Sequence, residues 1–333
     1  MIEIMKESEN YKSPVIAIDI GGTKIITACI SANGQVLAKD RFPTLADEGP
    51  EAVINRMFSS IDRLLSQNNM EPAQIHSIGI AAAGAIDFKN GVISESPNLP
   101  GWHNIALRDI MQEKYKLQTF LVNDASAAAL GEFSFGSGKG TRNMVLVTLG
   151  TGIGGGIIVN GELYTGATGS AGEIGHMTIE ANGPQCSCGS TGCLEELAAG
   201  RVITSNAQER ARSGEKTSLI EIVEGKIENI TAETVGSAAR NGDTLALDVI
   251  NQAAFYLGVG LANLVNVFNP EVIVIGGGMA KMGDILLEPA RELVRTRAFS
   301  LLVQAVRIVT AELGNEAGIY GASVFALKQK MER

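Results

Sequence analysis

The same order of elements occurs twice along this chain: a buried strand, a glycine turn, a second strand and an Asn-Gly hairpin. The first copy lies near residues 15–36 and the second near residues 143–163. Runs rich in β-branched residues favour strands, and Asn33-Gly34 and Asn160-Gly161 are strong signals for two-residue hairpins. The repeat therefore predicts two α/β domains of one topology around a cleft.

The local patterns also predict individual elements. The first half is expected to form strands at 15–20, 24–30, 35–42, 75–80 and 120–122, with helices at 52–67 and from about residue 124. The second half is expected to form strands at 143–149, 156–159 and 272–275, a glycine turn at 150–156 and an apolar helix at 251–268.

A cluster of metal-ligand residues lies between positions 172 and 195. Cys186, Cys188 and Cys193 fall within eight residues, and His176 precedes them. Four N/S ligands with no open position suit a structural tetrahedral zinc ion. Inert core cysteines and a disulfide are the alternatives, but the Gly/Ser surroundings are polar and a cytosolic chain rarely keeps a disulfide. The sequence predicts a zinc-braced loop over residues 176–193.

Charge and hydropathy exclude some classes of partner. The net charge of −9 disfavours nucleic acid, which requires a basic surface. The longest apolar stretches are interrupted by Gly, Asn or charged residues, and the first fourteen residues contain no apolar signal core. We expect a soluble cytoplasmic protein that binds neither a membrane nor nucleic acid.

Two glycine-rich segments that follow predicted strands indicate phosphate binding. In the first, residues 19–24, backbone N–H groups can approach phosphate oxygens, and Asp19 is suited to hold Mg²⁺ directly or through water. The second, residues 150–156, matches G-x-G-x-x-G, but a strand rather than the required helix follows it, which disfavours a dinucleotide site. Two such loops on two similar halves indicate a nucleoside triphosphate. The nucleotide-binding candidates are Asp19, Gly21, Gly22, Thr23, Lys24, Gly150, Thr151, Gly152, Gly154, Gly277 and Gly278.

Asn123-Asp124 lies between a predicted strand and a strong helix-forming run. A carboxylate at Asp124 would point into the cleft and could accept a proton from a hydroxyl nucleophile. The alternative is that Asp124 is only a helix N-cap. A helix N-terminus also lowers the pKa of a carboxyl group, which weakens it as a base, but phosphoryl transfer tolerates a weak base because positioning dominates.

The motifs DIGGTK, LPGW, VNDA, GTGIGGG, GEIGH and C-x-C-x₄-C-x-E occur in this order and resemble the ROK (repressor, open reading frame, kinase) family of sugar kinases, from about Val15 to Leu327. The resemblance implies the two-domain, actin-like (ribonuclease-H-like) α/β ATPase fold with an interdomain active-site cleft. It implies a small domain of residues 1–122, a large domain of residues 123–315, and a C-terminal helix at about 316–333 that packs back on the small domain.

The resemblance also implies an activity, the ATP-dependent phosphorylation of a hexose at its 6-hydroxyl, with Asp124 as the base. It implies that the sugar is held by Gly84, Asn98, Asn123, Asp124, Glu173, His176 and Glu195. His176 would bind zinc with one ring nitrogen and the sugar with the other. ATP, Mg²⁺ and structural Zn²⁺ are the expected cofactors, and a homodimer or homotetramer is the expected assembly.

The sugar and the class of protein stay open at this point. Glucose is the simplest substrate, and N-acetylmannosamine is the nearest alternative because kinases for that sugar also carry a Gly-Pro-x-Cys-Ser-Cys run like residues 183–188. A sugar-sensing regulator is disfavoured by the net charge and by the fourteen residues before the first strand, which leave no room for a winged helix. A zinc-braced binding module without catalysis would not need Asp124.

Overall fold

A computed structural model describes residues 13–96 and 98–329. Contacts within it form two compact units, one from the described parts of residues 1–142, 156–172 and 312–333, and one from residues 143–155 and 173–311. The predicted domain boundary at residue 122 stays a prediction. The first twelve residues, where the sequence predicts no apolar signal core, lie outside the described residues. So do the last four residues, 330–333, of the predicted C-terminal helix.

The elements follow in chain order. The strands are β1 (Val15–Ile20), β2 (Lys24–Ile30), β3 (Val36–Pro43), β4 (Ile78–Ala82), β5 (Ala85–Asp87), β6 (Val92–Glu95), β7 (His103–Ile105), β8 (Thr119–Asn123), β9 (Met144–Leu149), β10 (Ile153–Val159), β11 (Glu162–Leu163), β12 (Val272–Gly276) and β13 (Arg307–Thr310). The helices are α1 (Pro50–Gln67), α2 (Leu107–Tyr115), α3 (Asp124–Phe135), α4 (Leu194–Ala198), α5 (Gly200–Arg212), α6 (Leu219–Ile222), α7 (Ala232–Arg240), α8 (Thr244–Phe268), α9 (Asp284–Arg297), α10 (Ser300–Val303) and α11 (Ala317–Lys328).

The main sheet of the first unit has the strand order β3-β2-β1-β4-β8. The β1–β2 and β2–β3 pairs are antiparallel, whereas β1–β4 and β4–β8 are parallel. Side chains alternate between the two faces of a strand. Ile16, Ile18 and Ile20 accordingly belong to a core that includes α1 and α2, while Ala17 belongs to a core that includes α11. Asp19 shares the strand face of Ala17.

Small residues let α11 approach its neighbours closely. A β-carbon at Gly321 would lie only 1.6 Å from the Ala127 carbonyl oxygen of α3, and one at Gly79 would lie 2.2 Å from the Ala322 oxygen. A buried carboxylate adds to this packing: Glu132 of α3 accepts hydrogen bonds from the backbone N–H groups of Glu312 and Leu313, at 3.1 and 2.7 Å. These contacts fix α11 against the sheet and against α3.

The second five-stranded sheet has the order β11-β10-β9-β12-β13, and the division between the units passes through β10. The pairs β9–β12 and β12–β13 are parallel. Helix α8 contacts α4, α5, α7 and α9. Among the described residues it alone is long and apolar enough to cross a membrane by length and composition, yet 61% of its apolar window is buried inside the protein.

Three predicted boundaries are wrong by three residues or more. Strand β4 begins at Ile78 rather than at residue 75, and α8 begins at Thr244 rather than at residue 251, because Asp243 caps it by accepting the Ala246 N–H at 2.9 Å. Residues 153–156 belong to β10, not to a turn. Gly156 is glycine for another reason, since a β-carbon there would lie 2.5 Å from that of Ala129 in α3.

Candidate active site and metal centre

Three neighbouring parallel strands of the first unit carry candidate residues at the same edge. Asp19 is the penultimate residue of β1, Gly84 follows β4 by two residues, and Asn123 ends β8. Asp19 is paired with Ala81, and Asn123 with Ala82. Adjacent strands lie about 4.8 Å apart, so this register places the three candidates within roughly 10 Å along the carboxyl edge of the sheet. Ligand sites of open α/β sheets form at such edges.

The carboxyl group of Asp19 lies in a desolvated position beside the start of α11. A β-carbon at Gly318 would come 2.6 Å from Asp19 Oδ2. The pKa of Asp19 is raised to about 7, chiefly by burial and also by the negative charge of Asp124, while the Lys24 ammonium acts to lower it. A bound cation favours the ionised form of such a group. The chemistry of this position fits the predicted Mg²⁺ role.

The turn after β1 brings a nucleotide candidate and a sugar candidate together. The Gly21 N–H donates to the Lys24 carbonyl oxygen at 3.0 Å, which closes the turn. A β-carbon at Gly22 would lie 2.8 Å from the carbonyl oxygen of Asn98, so only a glycine permits this approach. Thr23 and Asn98 are exposed, so a ligand can reach both side chains.

Asn123, not Asp124, caps helix α3. Its Oδ1 accepts the N–H groups of Ala125 and Ser126 at 3.0 and 3.2 Å, and its Nδ2 donates to the Gly84 carbonyl oxygen at 3.3 Å. Asp124 is the first residue of the helix, so the alternative that it is only an N-cap is wrong. Burial raises the pKa of Asp124 although its carboxylate also accepts the Ala125 N–H. Desolvation thus outweighs the expected lowering by the helix N-terminus, which makes Asp124 a stronger base than expected.

In the second unit the turn after β9 lies against Glu195. The Gly150 N–H donates to the Gly152 carbonyl oxygen at 2.9 Å, and the Ile153 N–H donates to Glu195 Oε2 at 2.7 Å. A β-carbon at Gly152 would lie 2.3 Å from the same carboxylate oxygen. A predicted sugar ligand is therefore held by the predicted nucleotide turn.

The remaining nucleotide candidates of this unit fall beside that turn. Strands β9 and β12 are parallel neighbours, with Gly276 paired to Thr148. A β-carbon at Gly277, the next residue, would lie 2.2 Å from the Leu149 carbonyl oxygen, and Gly278 begins a short 3₁₀ helix. The Gly154 N–H donates to Thr148 Oγ1 at 3.2 Å. Thr151 is exposed at the tip of the turn.

The four predicted zinc ligands form one cluster, in which all ligand atoms lie within 4.8 Å of one another. Cys186 Sγ lies 3.6 Å from His176 Nδ1, and Cys188 Sγ lies 3.7 Å from Cys193 Sγ. A tetrahedral zinc ion with bonds of about 2.3 Å to sulfur and about 2.0–2.1 Å to nitrogen sets edges of about 3.8 Å between sulfurs and about 3.6 Å between sulfur and nitrogen. The cluster therefore fits zinc, and the cysteines are free thiols rather than a disulfide.

The ring of His176 faces the cysteines with Nδ1, which leaves Nε2 for another partner. Its backbone N–H donates to the Glu173 carbonyl oxygen at 3.1 Å, in a single 3₁₀ turn. The side chain of Glu173 is exposed. This arrangement is compatible with the two-sided use of His176, and the roles of His176, Glu173 and the other candidates stay predictions.

Sequence reasoning missed two residues beside these groups. Gly318 contacts Asp19 but lies almost three hundred residues away, and a Gly in a small-residue helix gives no signal of that contact. Arg201 forms an ion pair with Glu195, with 3.3 Å between Nη2 and Oε1. Its six-residue spacing from Glu195 does not match one helix face; the break between α4 and α5 at Ala199 makes the contact possible.

Known proteins are similar to this chain over almost all of the described residues. The family model described as ROK family matches residues 15–329. Glucokinases from Halalkalibacterium halodurans and Thermotoga maritima are 39% and 38% identical, over 95% and 94% of this chain and 95% and 96% of their own lengths. A xylose repressor from Caldicellulosiruptor bescii is 32% identical over 95% of this chain and 79% of its own length.

Solved structures give the same result. A ROK family glucokinase from Streptomyces griseus, in complex with glucose and AMPPNP, has a TM-score of 0.80 at 32% identity, over 95% of this chain and 100% of that one. A putative N-acetylmannosamine kinase from Listeria monocytogenes has a TM-score of 0.75 at 25% identity, over 94% and 98%. The chain belongs to the ROK family and has its actin-like α/β ATPase fold, as the resemblance of its motifs implies.

Proposed function

We propose that this protein is an ATP-dependent hexose kinase that converts glucose to glucose 6-phosphate. The observation that carries the proposal is the pairing of Asn123 and Asp124 at the carboxyl end of β8, where burial raises the pKa of the Asp124 carboxyl group. Sugar phosphorylation needs a base of this kind beside groups that orient a hydroxyl. The glucokinase relatives match this chain and their own lengths almost completely, which supports glucose as the substrate.

In the proposed reaction, Asp124 accepts the proton of the sugar 6-hydroxyl while that oxygen attacks the γ-phosphorus of ATP. The bond from the γ-phosphorus to the β,γ-bridging oxygen breaks, and ADP leaves. Asn123, Glu173, His176 and Glu195 hold the other sugar hydroxyls. Backbone N–H groups of Gly22, in the turn after β1, and of Thr151 and Gly152, in the turn after β9, bind the phosphates.

Two ions complete the proposed site. Asp19 would hold Mg²⁺, which supplies charge neutralisation on the phosphates. Cys186, Cys188, Cys193 and His176 would hold a structural zinc ion, which braces the loop and supplies no step of the reaction. A zinc ion held there would keep the ring of His176 oriented with Nε2 available for a sugar hydroxyl.

An N-acetylmannosamine kinase is the second candidate, favoured by the Listeria structure and by the Gly183–Cys188 run. A sugar-responsive regulator is a third, because xylose repressors match 95% of this chain. We further propose a cytoplasmic homodimer or homotetramer that binds no nucleic acid.

An assay of ADP release over a panel of hexoses and N-acetylhexosamines separates these functions. The highest kcat/KM on glucose is the expected result. Preference for N-acetylmannosamine would replace glucose as the substrate. Sugar binding by calorimetry without ADP release on any sugar would favour the regulator and overturn the kinase.

A further inference from the structure

One guanidinium group holds two adjacent carboxylates in the second unit. Arg201, the second residue of α5, donates from Nη1 to Glu196 Oε2 at 2.7 Å and from Nη2 to Glu195 Oε1 at 3.3 Å. Nη2 also bonds Glu196 Oε1. The two carboxylate side chains are only 18% and 13% exposed, so the pairing is partly shielded from solvent.

Each of these two glutamates also contacts a different loop. Glu195 accepts the Ile153 N–H at 2.7 Å, directly after the predicted nucleotide turn. The backbone N–H of Glu196 donates to the carbonyl oxygen of Cys193, one of the predicted zinc ligands, at 3.0 Å. The side chain of Arg201 thus connects the nucleotide turn, the predicted sugar ligand Glu195 and the zinc loop.

The main chain at the start of α5 reaches the same turn. The Gly200 N–H donates to the Gly150 carbonyl oxygen at 2.9 Å, and the Arg201 N–H donates to the Thr151 oxygen at 3.4 Å. Any shift of this turn when nucleotide binds will therefore act on the residue that also holds Glu195.

Glu195 retains capacity for a ligand in this arrangement. An ionised carboxylate has about four lone-pair sites, and Glu195 uses one for the Ile153 N–H and one for Arg201. The remaining sites can accept sugar hydroxyls. Loss of the guanidinium would leave Glu195 and Glu196 as neighbouring like charges, and the Glu195 oxygens would lose their fixed direction.

We infer that Arg201 is a positioning residue that couples nucleotide binding to sugar binding, because it holds Glu195 between the nucleotide turn (residues 150–154) and the zinc loop (residues 176–193). The inference rests on the proposed kinase function. Coupling between two ligands is reciprocal: if nucleotide tightens sugar binding by a given factor, sugar tightens nucleotide binding by the same factor.

Calorimetry on the zinc-containing protein tests this coupling. The dissociation constant of glucose is measured with and without AMPPNP and Mg²⁺. The wild type should bind glucose about fivefold more tightly, or better, with the analogue present. Arg201→Met should reduce that factor to about 1 and weaken glucose binding about tenfold, while the zinc content stays unchanged and the protein remains folded. Such a change is a loss of coupling, which a merely structural residue would not produce.

Two further variants sharpen the test. Arg201→Lys keeps the charge but cannot contact both carboxylates with one planar fork, so its coupling factor should fall at least about threefold. If Arg201→Met does not fold, the coupling factor of Arg201→Lys tests the inference instead. Arg210→Met is the matched control, because Arg210 lies on the same helix and pairs with Glu215 and Asp248, remote from the two loops in sequence. It should behave as the wild type.

The outcomes separate this inference from the proposed function. A wild type that binds neither sugar nor nucleotide overturns both. A wild type that releases ADP but binds glucose equally well with and without AMPPNP overturns the coupling alone. So does an Arg201→Met or Arg201→Lys variant whose coupling factor stays within twofold of the wild type.

Discussion

Gly318 lies against the carboxyl group of Asp19, so closely that a β-carbon at position 318 would come 2.6 Å from Oδ2. Strand β1 and helix α11, which lie near opposite ends of the described chain, meet at this contact. The carboxyl group that we propose as the Mg²⁺ ligand can occupy this position because Gly318 has no side chain.

Gly318→Ala is expected to displace the Asp19 carboxyl group, because that flexible side chain can move more easily than the helix. Alanine favours the helix by up to about 1 kcal/mol over glycine, so Tm should stay the same or rise. Turnover should fall about tenfold or more, and the Mg²⁺ concentration for half-maximal activity should rise. The exposed Asn315→Ala is the control; unaltered Mg²⁺ dependence in Gly318→Ala would contradict the role of Asp19.

Asp124→Asn should bind glucose and nucleotide but lose most turnover, because general-base assistance contributes on the order of 10²–10⁴-fold. Calorimetry measures the binding and the ADP assay measures the rate. Intact binding combined with a rate within threefold of the wild type would exclude Asp124 as the base.

The raised pKa of Asp19 predicts a pH dependence of stability in the absence of Mg²⁺. Between its ordinary value of 3.8 and about 7, the folded chain keeps a proton on Asp19 that the unfolded chain has released. The free energy of unfolding of the wild type should therefore fall, relative to that of Asp19→Asn, as the pH rises from 4 to 7.

Urea unfolding at several pH values measures this difference, and the exposed Asp47→Asn controls for the loss of one carboxyl group. Mg²⁺ should raise the Tm of the wild type more than that of Asp19→Asn, since a ligand of the folded state stabilises it. Parallel pH profiles for the wild type and Asp19→Asn would contradict the prediction.

Cys188→Ser should release zinc and weaken sugar binding more than nucleotide binding, although no cysteine is proposed to touch the sugar. Binding at a structural zinc site contributes on the order of 10 kcal/mol to local folding, so the loop that carries His176 should loosen. Metal analysis should find about one zinc per chain in the wild type, in keeping with a single Cys₃His site, and almost none in the variant. Cys29→Ala, outside the cluster, should retain zinc. A fully active wild type purified without metal would contradict the zinc site. It would also contradict the proposal that His176 binds zinc with one ring nitrogen and the sugar with the other.

The zinc cluster and the edge of the first sheet could be predicted from the sequence because their determinants are local. The four zinc ligands lie within eighteen residues of one another, and Asp19 and Asn123 each follow a run typical of a buried strand. Such patterns specify position without any knowledge of the tertiary contacts.

Contacts between distant segments could not be predicted in this way. Glu195 lies forty-two residues from Ile153, whose N–H it accepts, and the motif shows only a carboxylate after the cysteines. The raised pKa of Asp124 depends on burial by segments that a strand-helix junction does not reveal. The place of Gly156 in β10 could not be predicted either, because it depends on the close approach of α3.

The late position of α11 in the chain has a consequence for biosynthesis. The strands that carry Asp19 and Asn123 are complete once residue 123 has been translated, but the helix that packs on α3 through Gly321 and contacts Asp19 through Gly318 is made almost two hundred residues later. Until then the nascent chain exposes an apolar face of its first sheet. A ribosome that stalls after residue 311 would therefore present Asp124, the proposed base, without the helix that contacts Asp19, the proposed Mg²⁺ ligand, and with an apolar surface that chaperones can bind.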